Sequence, residues 1–294
     1  MAVGPTITDS LADSLPTVVA QARIVREYKG VMTQVVDRVN LGSGMGNNWR
    51  EIDLAKLTAQ AITETTEEDN PQEISDSVLT ITPSVISVHT VITDRAARNI
   101  SKNVFAKIGG LGQNAIERQK DKDGLTVLDG ATTSLAGAGT TLTSGHIAAA
   151  AYRVRGNTTE PWDGPVAFVL HSFQMKDLFD ELVAGVGTYD ISAGTTADVF
   201  KNTFNLPIAN AQAYTDDNIT IDGSDDAKGG VFASGKNGAI ALVQARAPWV
   251  KTIRNEKLGG GATEVLHRDE YAYGERSSGN WLYEIYSDAT APTS

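Results

Sequence analysis

The sequence predicts an α+β protein, because strand patterns and helix patterns occupy separate stretches of the chain. Short β-type runs dominate the last third, at 231–234, 239–245, 249–254, 263–272 and 281–286. A long helical stripe begins after Thr93-Asp94, and shorter helices are predicted at 147–154 and from Ser172. Apolar residues make up 41% of the 294 residues, which is enough for a substantial core.

Composition and charge exclude several classes of protein. The chain has no cysteine, which excludes disulfides, thiolate zinc sites and thiol nucleophiles. Its 25 basic and 36 acidic residues give a net charge of −11, so the average field repels phosphate and argues against a sequence-specific DNA reader. The first residues lack the pattern of a signal peptide, and no apolar run is long enough to cross a bilayer. We therefore expect a soluble protein made in a cytoplasm.

The first 62 residues read as an arm followed by a hairpin. Residues 1–30 are interrupted by prolines but carry apolar side chains at 18, 19, 24 and 25, so we expect this arm to dock on another surface. A β-type run at 31–39, the glycine-rich stretch 41–48 and a second run at 49–62 predict two strands joined by a glycine-rich tip. A lone hairpin of this reach is marginal in water, so it too is expected to lie on another surface.

An acidic segment and two further strands follow. Between residues 60 and 77 the chain has no basic residue but six acidic ones, namely Glu64, Glu67, Glu68, Asp69, Glu73 and Asp76. The segment is either a solvated turn or one side of a charge contact with a neighbouring subunit. The alternating runs at 78–82 and 85–91 predict strands.

The long helix is predicted from a cap and a stripe. Thr93 and Asp94 can cap free backbone N–H groups, and the pattern continues to about Lys120. The stripe consists of Ala97, Ile100, Val104, Ile108, Leu111 and Ala115. The pair Gly109-Gly110 predicts a bend or the close approach of another backbone. A turn is expected at 121–124, and the Gly/Ala/Ser/Thr-rich stretch 129–145 is expected to be a loop at a boundary.

No motif predicts chemistry. The histidines at 89, 146, 171 and 267 are far apart and show no metal-ligand spacing, and no glycine cluster matches a dinucleotide or phosphate loop. Carboxylates are plentiful, so a paired-acid site stays open. We predict that the protein is not an enzyme and needs no cofactor or metal.

The order of elements resembles the Hong Kong 97 phage capsid fold over nearly the whole chain. The stretch Glu73-Ile-Ser-Asp-Ser-Val-Leu-Thr-Ile-Thr-Pro83 followed by 84–97 resembles the entry strands and the start of the spine helix of that family. The stretch Gly164-Pro-Val-Ala-Phe-Val-Leu-His171 into 177–182 resembles the strand and helix of its axial domain, and 205–210 and 230–238 resemble later strands.

The resemblance implies five segments. They are an N-terminal arm at 1–30, an extended hairpin called the E-loop at 31–75, a peripheral domain with the spine helix at 76–124, an axial α/β domain at 125–245, and return strands of the peripheral domain at 246–294. If residue 1 is the natural start, scaffolding is a separate protein or is absent.

The function implied is that of a tailed-phage major capsid protein. Such a protein assembles in the host cytoplasm, from hexamers and pentamers of itself, into an icosahedral shell around double-stranded DNA that it does not read. Portal, scaffolding and decoration proteins are possible partners in the virion, and no membrane is involved. The residues expected to contact adjacent subunits are Met45, Trp49, Arg50, Glu64, Glu67 and Glu68.

Three other functions remain open at this point. A nanocompartment shell protein of the encapsulin type would share the fold but enclose enzymes. A soluble hydrolase would use unmarked carboxylates. A carbohydrate-binding module would suit the Gly/Ser/Thr-rich loops but not the long helix.

Overall fold

The computed structural model describes residues 27–59, 61–65, 71–99, 102–186, 208–258, 260–277 and 279–293. Most of the predicted arm, residues 1–26, lies outside the described residues. The helices are α1 Met32–Val35, α2 Asp94–Asn99, α3 Lys102–Asp129, α4 Ser144–Arg155 and α5 Ser172–Val186. The strands are β1 Asp37–Asn40, β2 Trp49–Leu54, β3 Asp76–Ile81, β4 Ser84–Thr93, β5 Ser134–Ala136, β6 Val166–Leu170, β7 Ala211–Thr215, β8 Asp226–Ala233, β9 Ile240–Asn255, β10 Ala262–Glu275 and β11 Leu282–Asp288.

A five-stranded sheet carries most of the core. Its order is β5-β11-β8-β6-β7, with β6 parallel to β7 and antiparallel to β8. All five residues of β6 are fully buried, as expected for a strand with both faces covered. The predicted helix at 147–154 is confirmed as α4, where Thr143 donates its backbone N–H to His146 Nδ1 (3.3 Å) in a capping box.

A four-stranded sheet extends from this core as a ribbon. Its order is β1-β9-β10-β4, and β9 pairs with β10 over almost its whole length. The first residues of β9, 240–243, are buried in the core, whereas 246–248 and 250–254 are exposed. The two long antiparallel strands therefore join the core to the outer part of the molecule.

Helix α3 packs closely on β10 at a glycine. The His267 ring is buried beneath Gly112, where an added Cβ would lie 2.4 Å from His267 Cδ2. The close approach in the structure is therefore that of a side chain at Gly112, and not that of a backbone at Gly109. The helix runs through Gly109-Gly110 without a break, and nothing lies within 4 Å of a Cβ added at Gly109.

The end and the buried face of the long helix differ from the prediction. The expected turn at 121–124 is wrong, because α3 continues to Asp129. Leu111 is 44% exposed, whereas Ile116, Leu125 and Leu128 are buried. Asp121 is buried although it is polar, because it accepts a hydrogen bond from the backbone N–H of Met32 (3.1 Å). A polar residue that binds a distant backbone cannot be recognised from an apolar stripe.

The strands predicted to form the hairpin do not pair with each other. β1 lies parallel to β9, and β2 pairs instead with β3 in an antiparallel two-stranded sheet. The glycine-rich residues 41–48 therefore form the turn between β1 and β2, and the outer end of the hairpin is the stretch between Leu54 and Asp76. Strand patterns mark the strands but not their partners, which depend on long-range packing.

The C-terminal strands divide between the two sheets. β9 and β10 join β4, whereas β11 pairs with β5 and β8 in the five-stranded sheet. β11 therefore belongs to a different sheet from β9 and β10, and the assignment of 246–294 to the peripheral domain stays a prediction. The other segment boundaries stay predictions.

Two alanine substitutions on the same helix should have opposite effects. Gly109→Ala should stabilise the protein by up to about 1 kcal/mol, because alanine favours the helix and meets no neighbour. Gly112→Ala should destabilise it by about 1–2 kcal/mol, because the methyl group overlaps the His267 ring. Urea unfolding of unassembled protein measures both free energies. Equal shifts in both variants would contradict the close packing of α3 on β10.

Candidate functional site

The hairpin of β2 and β3 is the candidate functional site, because it is only partly covered by its own chain. Its register places Trp49 opposite Ile81 at the root and Leu54 opposite Asp76 at the outer end. Exposure rises along β2, where the three residues after Glu51 are all exposed. The root is therefore packed, and the outer half projects into solvent.

The root is held by a small apolar cluster. Buried Ile81, Ala241 and Val243 form its centre, and Trp49 and Leu79 pack against it. In addition, a Cβ added at Gly274 of β10 would lie 2.3 Å from Ile81 Cδ1, so only glycine fits beneath the end of β3. The hairpin thus rests directly on the β9–β10 ribbon.

A buried guanidinium joins the hairpin to the rest of the chain. Arg276 follows β10 and is 5% exposed. Its Nη1 lies 2.7 Å from Asp37 Oδ2, and its Nε lies 2.6 Å from Glu51 Oε2. Arg276 Nη1 also donates to the Gly238 carbonyl oxygen (3.1 Å), and the guanidinium lies 5.3 Å from the centre of the Trp49 ring. One cation therefore links the end of β10 to both β1 and β2.

The outer half of the hairpin exposes an apolar face. Ile52 and Val78 are directly opposite each other and are 61% and 53% exposed. Leu54 shares their face, because successive side chains of a strand alternate. Further exposed apolar side chains lie between the two strands, at Leu57, Ile62 and Ile74. Single exposed apolar residues are ordinary, but a continuous group on a projecting hairpin is typical of a contact surface.

The six residues predicted to contact neighbouring subunits differ in how exposed they are. Met45 is 71% exposed in the turn before β2, and Arg50 and Glu64 are also exposed. Trp49 is half-buried against the apolar cluster of its own chain. Glu67 and Glu68 lie outside the described residues.

Sequence reasoning missed Arg276 and the exposed pair Ile52 and Val78. The alternation of β2 was a usable signal for Ile52, since every second residue from Arg50 to Leu54 points the same way. No local signal marked Arg276, because its partners Asp37 and Glu51 are more than two hundred residues away in the sequence.

The described residues contain neither a group of metal-ligating side chains nor a membrane-spanning helix. No group of three or more His, Asp or Glu side chains among them is arranged to hold a metal ion. No described helix is long and apolar enough to span a membrane. Each histidine contacts its own chain, through Glu264 for His89, Thr143 for His146, Asp217 for His171 and α3 for His267.

A pair of buried carboxylates, Asp121 and Asp216, bears on the hydrolase alternative. Burial and the adjacent Asp216 raise the pKa of Asp121 to about 7. However, all four oxygens of the pair accept hydrogen bonds from the chain itself, from Val31, Met32 and Asn218. Their lone pairs are therefore engaged in holding the fold, which favours a structural role over proton transfer to a substrate.

Replacing Arg276 by glutamine should loosen the hairpin and destabilise the protein. We expect Arg276→Gln to cost about 3 kcal/mol, because the buried cation is lost while Asp37, whose side chain is 11% exposed, and Glu51, which is 28% exposed, stay in place. Urea unfolding gives the free energy, and hydrogen exchange should show reduced protection of the β2 amides.

Arg254→Gln is the matched control. Arg254 also binds two carboxylates, Asp94 and Glu256, but its side chain is 45% exposed and water replaces the lost contacts. Its unfolding free energy and β2 exchange should stay close to those of the unmodified protein. Equal losses in the two variants would contradict the anchoring role of Arg276.

Chains from solved phage structures have a fold similar to that of this chain over nearly the whole length of both. A chain from the head structure of Helicobacter pylori bacteriophage KHP40 superposes with a TM-score of 0.72 at 11% identity, covering 98% of this chain and 99% of that one. A chain of Mycobacterium phage Che8 gives 0.70 at 14% identity, with 92% and 96% covered. A chain from the mature capsid of bacteriophage PhiM1 gives 0.66 at 13% identity, with 95% and 93% covered.

No protein-family model and no curated protein sequence matches the chain. The likeness is therefore one of structure at low sequence identity. It confirms the predicted α+β class and is consistent with the Hong Kong 97 type of fold. The chain has the fold of phage capsid chains.

Proposed function

We propose that the protein is the major capsid protein of a tailed bacterial virus. Copies of it assemble through hexamers and pentamers into an icosahedral shell around double-stranded DNA. The observation that carries the proposal is a firmly rooted hairpin with an uncovered apolar face, on a fold shared with phage capsid chains.

The exposed face of the hairpin requires a partner. Burying one isoleucine or leucine side chain contributes roughly 1.5–3 kcal/mol, so an uncovered group favours association. Open strand edges on a free hairpin invite irregular pairing. A closed symmetric shell provides each copy with the same neighbour, which covers the face and prevents open-ended growth.

The exposure of three of the predicted residues supports them as contacts with adjacent subunits. Met45, Arg50 and Glu64 are exposed and remain proposed contacts with adjacent subunits, joined by Ile52 and Val78. The acidic segment 64–76 serves as one side of a charge contact. Trp49 supports the contact indirectly by fixing the root of the hairpin. Glu67, Glu68 and the arm at 1–30 stay proposed contacts on sequence grounds.

The net charge of −11 suits a container better than a DNA-binding protein. Packaged DNA is held by confinement, without a sequence-reading surface. We propose no catalytic role and no cofactor. Portal, scaffolding or decoration proteins complete the virion, and assembly takes place in the host cytoplasm.

Electron microscopy of the purified protein tests the proposal directly. We expect uniform closed shells, or hexamers and pentamers, in negatively stained samples. A protein that stays strictly monomeric at high concentration, alone and with its co-expressed structural partners, would contradict the proposed function.

Replacing the apolar cross-strand pair Ile52 and Val78 should prevent assembly without unfolding the subunit. In the double variant Ile52→Ser and Val78→Ser, both side chains are already more than half exposed, so the unfolding free energy should change little. Sedimentation should show that shells are lost, because the neighbour loses its apolar contact.

The matched control changes the adjacent cross-strand pair, whose side chains point to the opposite face of the hairpin. Asp53 and Ser77 are opposite each other and both are exposed. The double variant Asp53→Asn and Ser77→Ala should assemble normally. Shells from the serine variant in normal yield would exclude the apolar face as a subunit contact.

A further inference from the structure

Residues 30–32 are held by two carboxylates from distant parts of the chain. Met32 donates its backbone N–H to Asp121 Oδ1 (3.1 Å), and Val31 donates its backbone N–H to Asp216 Oδ2 (3.0 Å). Each aspartate is 1% exposed. Gly30 lies so close that a Cβ there would be 2.0 Å from the Asp121 carboxyl carbon. The segment between the arm and α1 is thus pressed onto α3.

The two carboxylates have hydrogen-bond donors but no adjacent cation. Asn218 donates its backbone N–H to Asp216 Oδ1 (3.0 Å) and its Nδ2 to Asp121 Oδ2 (3.0 Å). Among the described residues, neither aspartate forms an ion pair with Lys, Arg or His. Two buried negative charges side by side are unfavourable, which favours the protonated form of Asp121. Accordingly, burial and the hydrogen bond with Asp216 raise the pKa of Asp121.

The other charged and titratable groups around the pair do not replace a cation. Tyr273 of β10 is influenced by Asp121 and also by Asp123 of α3, Arg38 of β1 and Asp269 of β10, whereas His171 is influenced by Asp216 and Asp217. Glu27, Lys29, Arg118 and Lys120 line the same cavity as Asp121, where Arg118 pairs with Glu27 and Lys120 pairs with Asp269. His171 pairs with Asp217 (3.7 Å), and burial lowers its pKa, so it tends to be neutral. The charge of Asp121 acts on Tyr273, whose pKa is raised chiefly by burial.

We propose that Asp121 and Asp216 form a proton-dependent latch on residues 30–32. The latch is closed while the Asp121 carboxyl group is protonated, and it loosens when that proton is lost. Because residues 30–32 join the first 26 residues to α1, the latch sets how firmly the base of the N-terminal arm is attached.

The direction of the pH effect follows from the two states. In the closed state Asp121 has a pKa of about 7, and in the open state it returns towards its ordinary value of 3.8. Between these values the closed state binds one proton more, so each pH unit of acidification favours closing by roughly tenfold. Above the closed-state pKa both states are ionised, and the equilibrium no longer depends on pH.

Hydrogen exchange of the full-length protein between about pH 5 and about pH 8 tests the latch. After correction for intrinsic exchange rates, protection of the Val31 and Met32 amides should rise by up to roughly tenfold per pH unit below about pH 7 and stay level above it. Asp121→Asn carries a neutral amide in place of the protonated carboxyl group. It should show high protection of the same amides with no dependence on pH.

Asp129→Asn is the control, because it removes a carboxylate from the exposed end of the same helix, where it binds Lys228. It should keep the pH dependence of the unmodified protein. Level protection of residues 31 and 32 over the whole pH range, or the same slope in Asp121→Asn, would overturn the proposal. The same slope in the β6 amides would also overturn it, by showing a global effect. The unmodified protein supplies this comparison even if a variant fails to fold.

Discussion

The position of the hairpin depends on the buried guanidinium of Arg276. A desolvated cation is stable only when its charge and its N–H groups are matched, and here Asp37 and Glu51 match it from two different strands. Because the three groups come from β1, β2 and the end of β10, their contact fixes three chain segments at one point. The apolar cluster around Ile81 then needs only to fill the space beside them.

This anchor separates a rigid root from an uncovered outer half. The ribbon of β9 and β10 leads from the core to the root, and the hairpin leaves it with Ile52, Leu54 and Val78 exposed. A flexible hairpin would lose conformational entropy on binding a neighbour, whereas one fixed at its root has already lost part of it. A chain built in this way is complete as a fold, but the outer face of its hairpin is left uncovered.

Local signals predicted the elements well, and long-range pairing accounts for the errors. The cap at Thr143, the apolar run of β6 and the start of α5 at Ser172 each lie within a few residues of the feature that they determine. The partner of β1, by contrast, is β9, some two hundred residues away. The end of α3 was missed because Asp121 reads as a turn residue until the backbone of Met32 is placed against it.

The sequence by itself determined the class of the fold, most of its helices and strands and the absence of any cysteine chemistry, since these depend on composition and short-range periodicity. It missed helix α1 in the run at 31–39 and strand β5 in the stretch 129–145. It also predicted that an arm and a long hairpin would need another surface, and most of that arm lies outside the described residues. Only the tertiary structure decided which strands form that hairpin, which face it exposes, and how Arg276 and the pair of Asp121 and Asp216 hold the segments beside it. These contacts join residues that are far apart in the chain, and a buried charge is stable only next to the particular partner that folding brings to it.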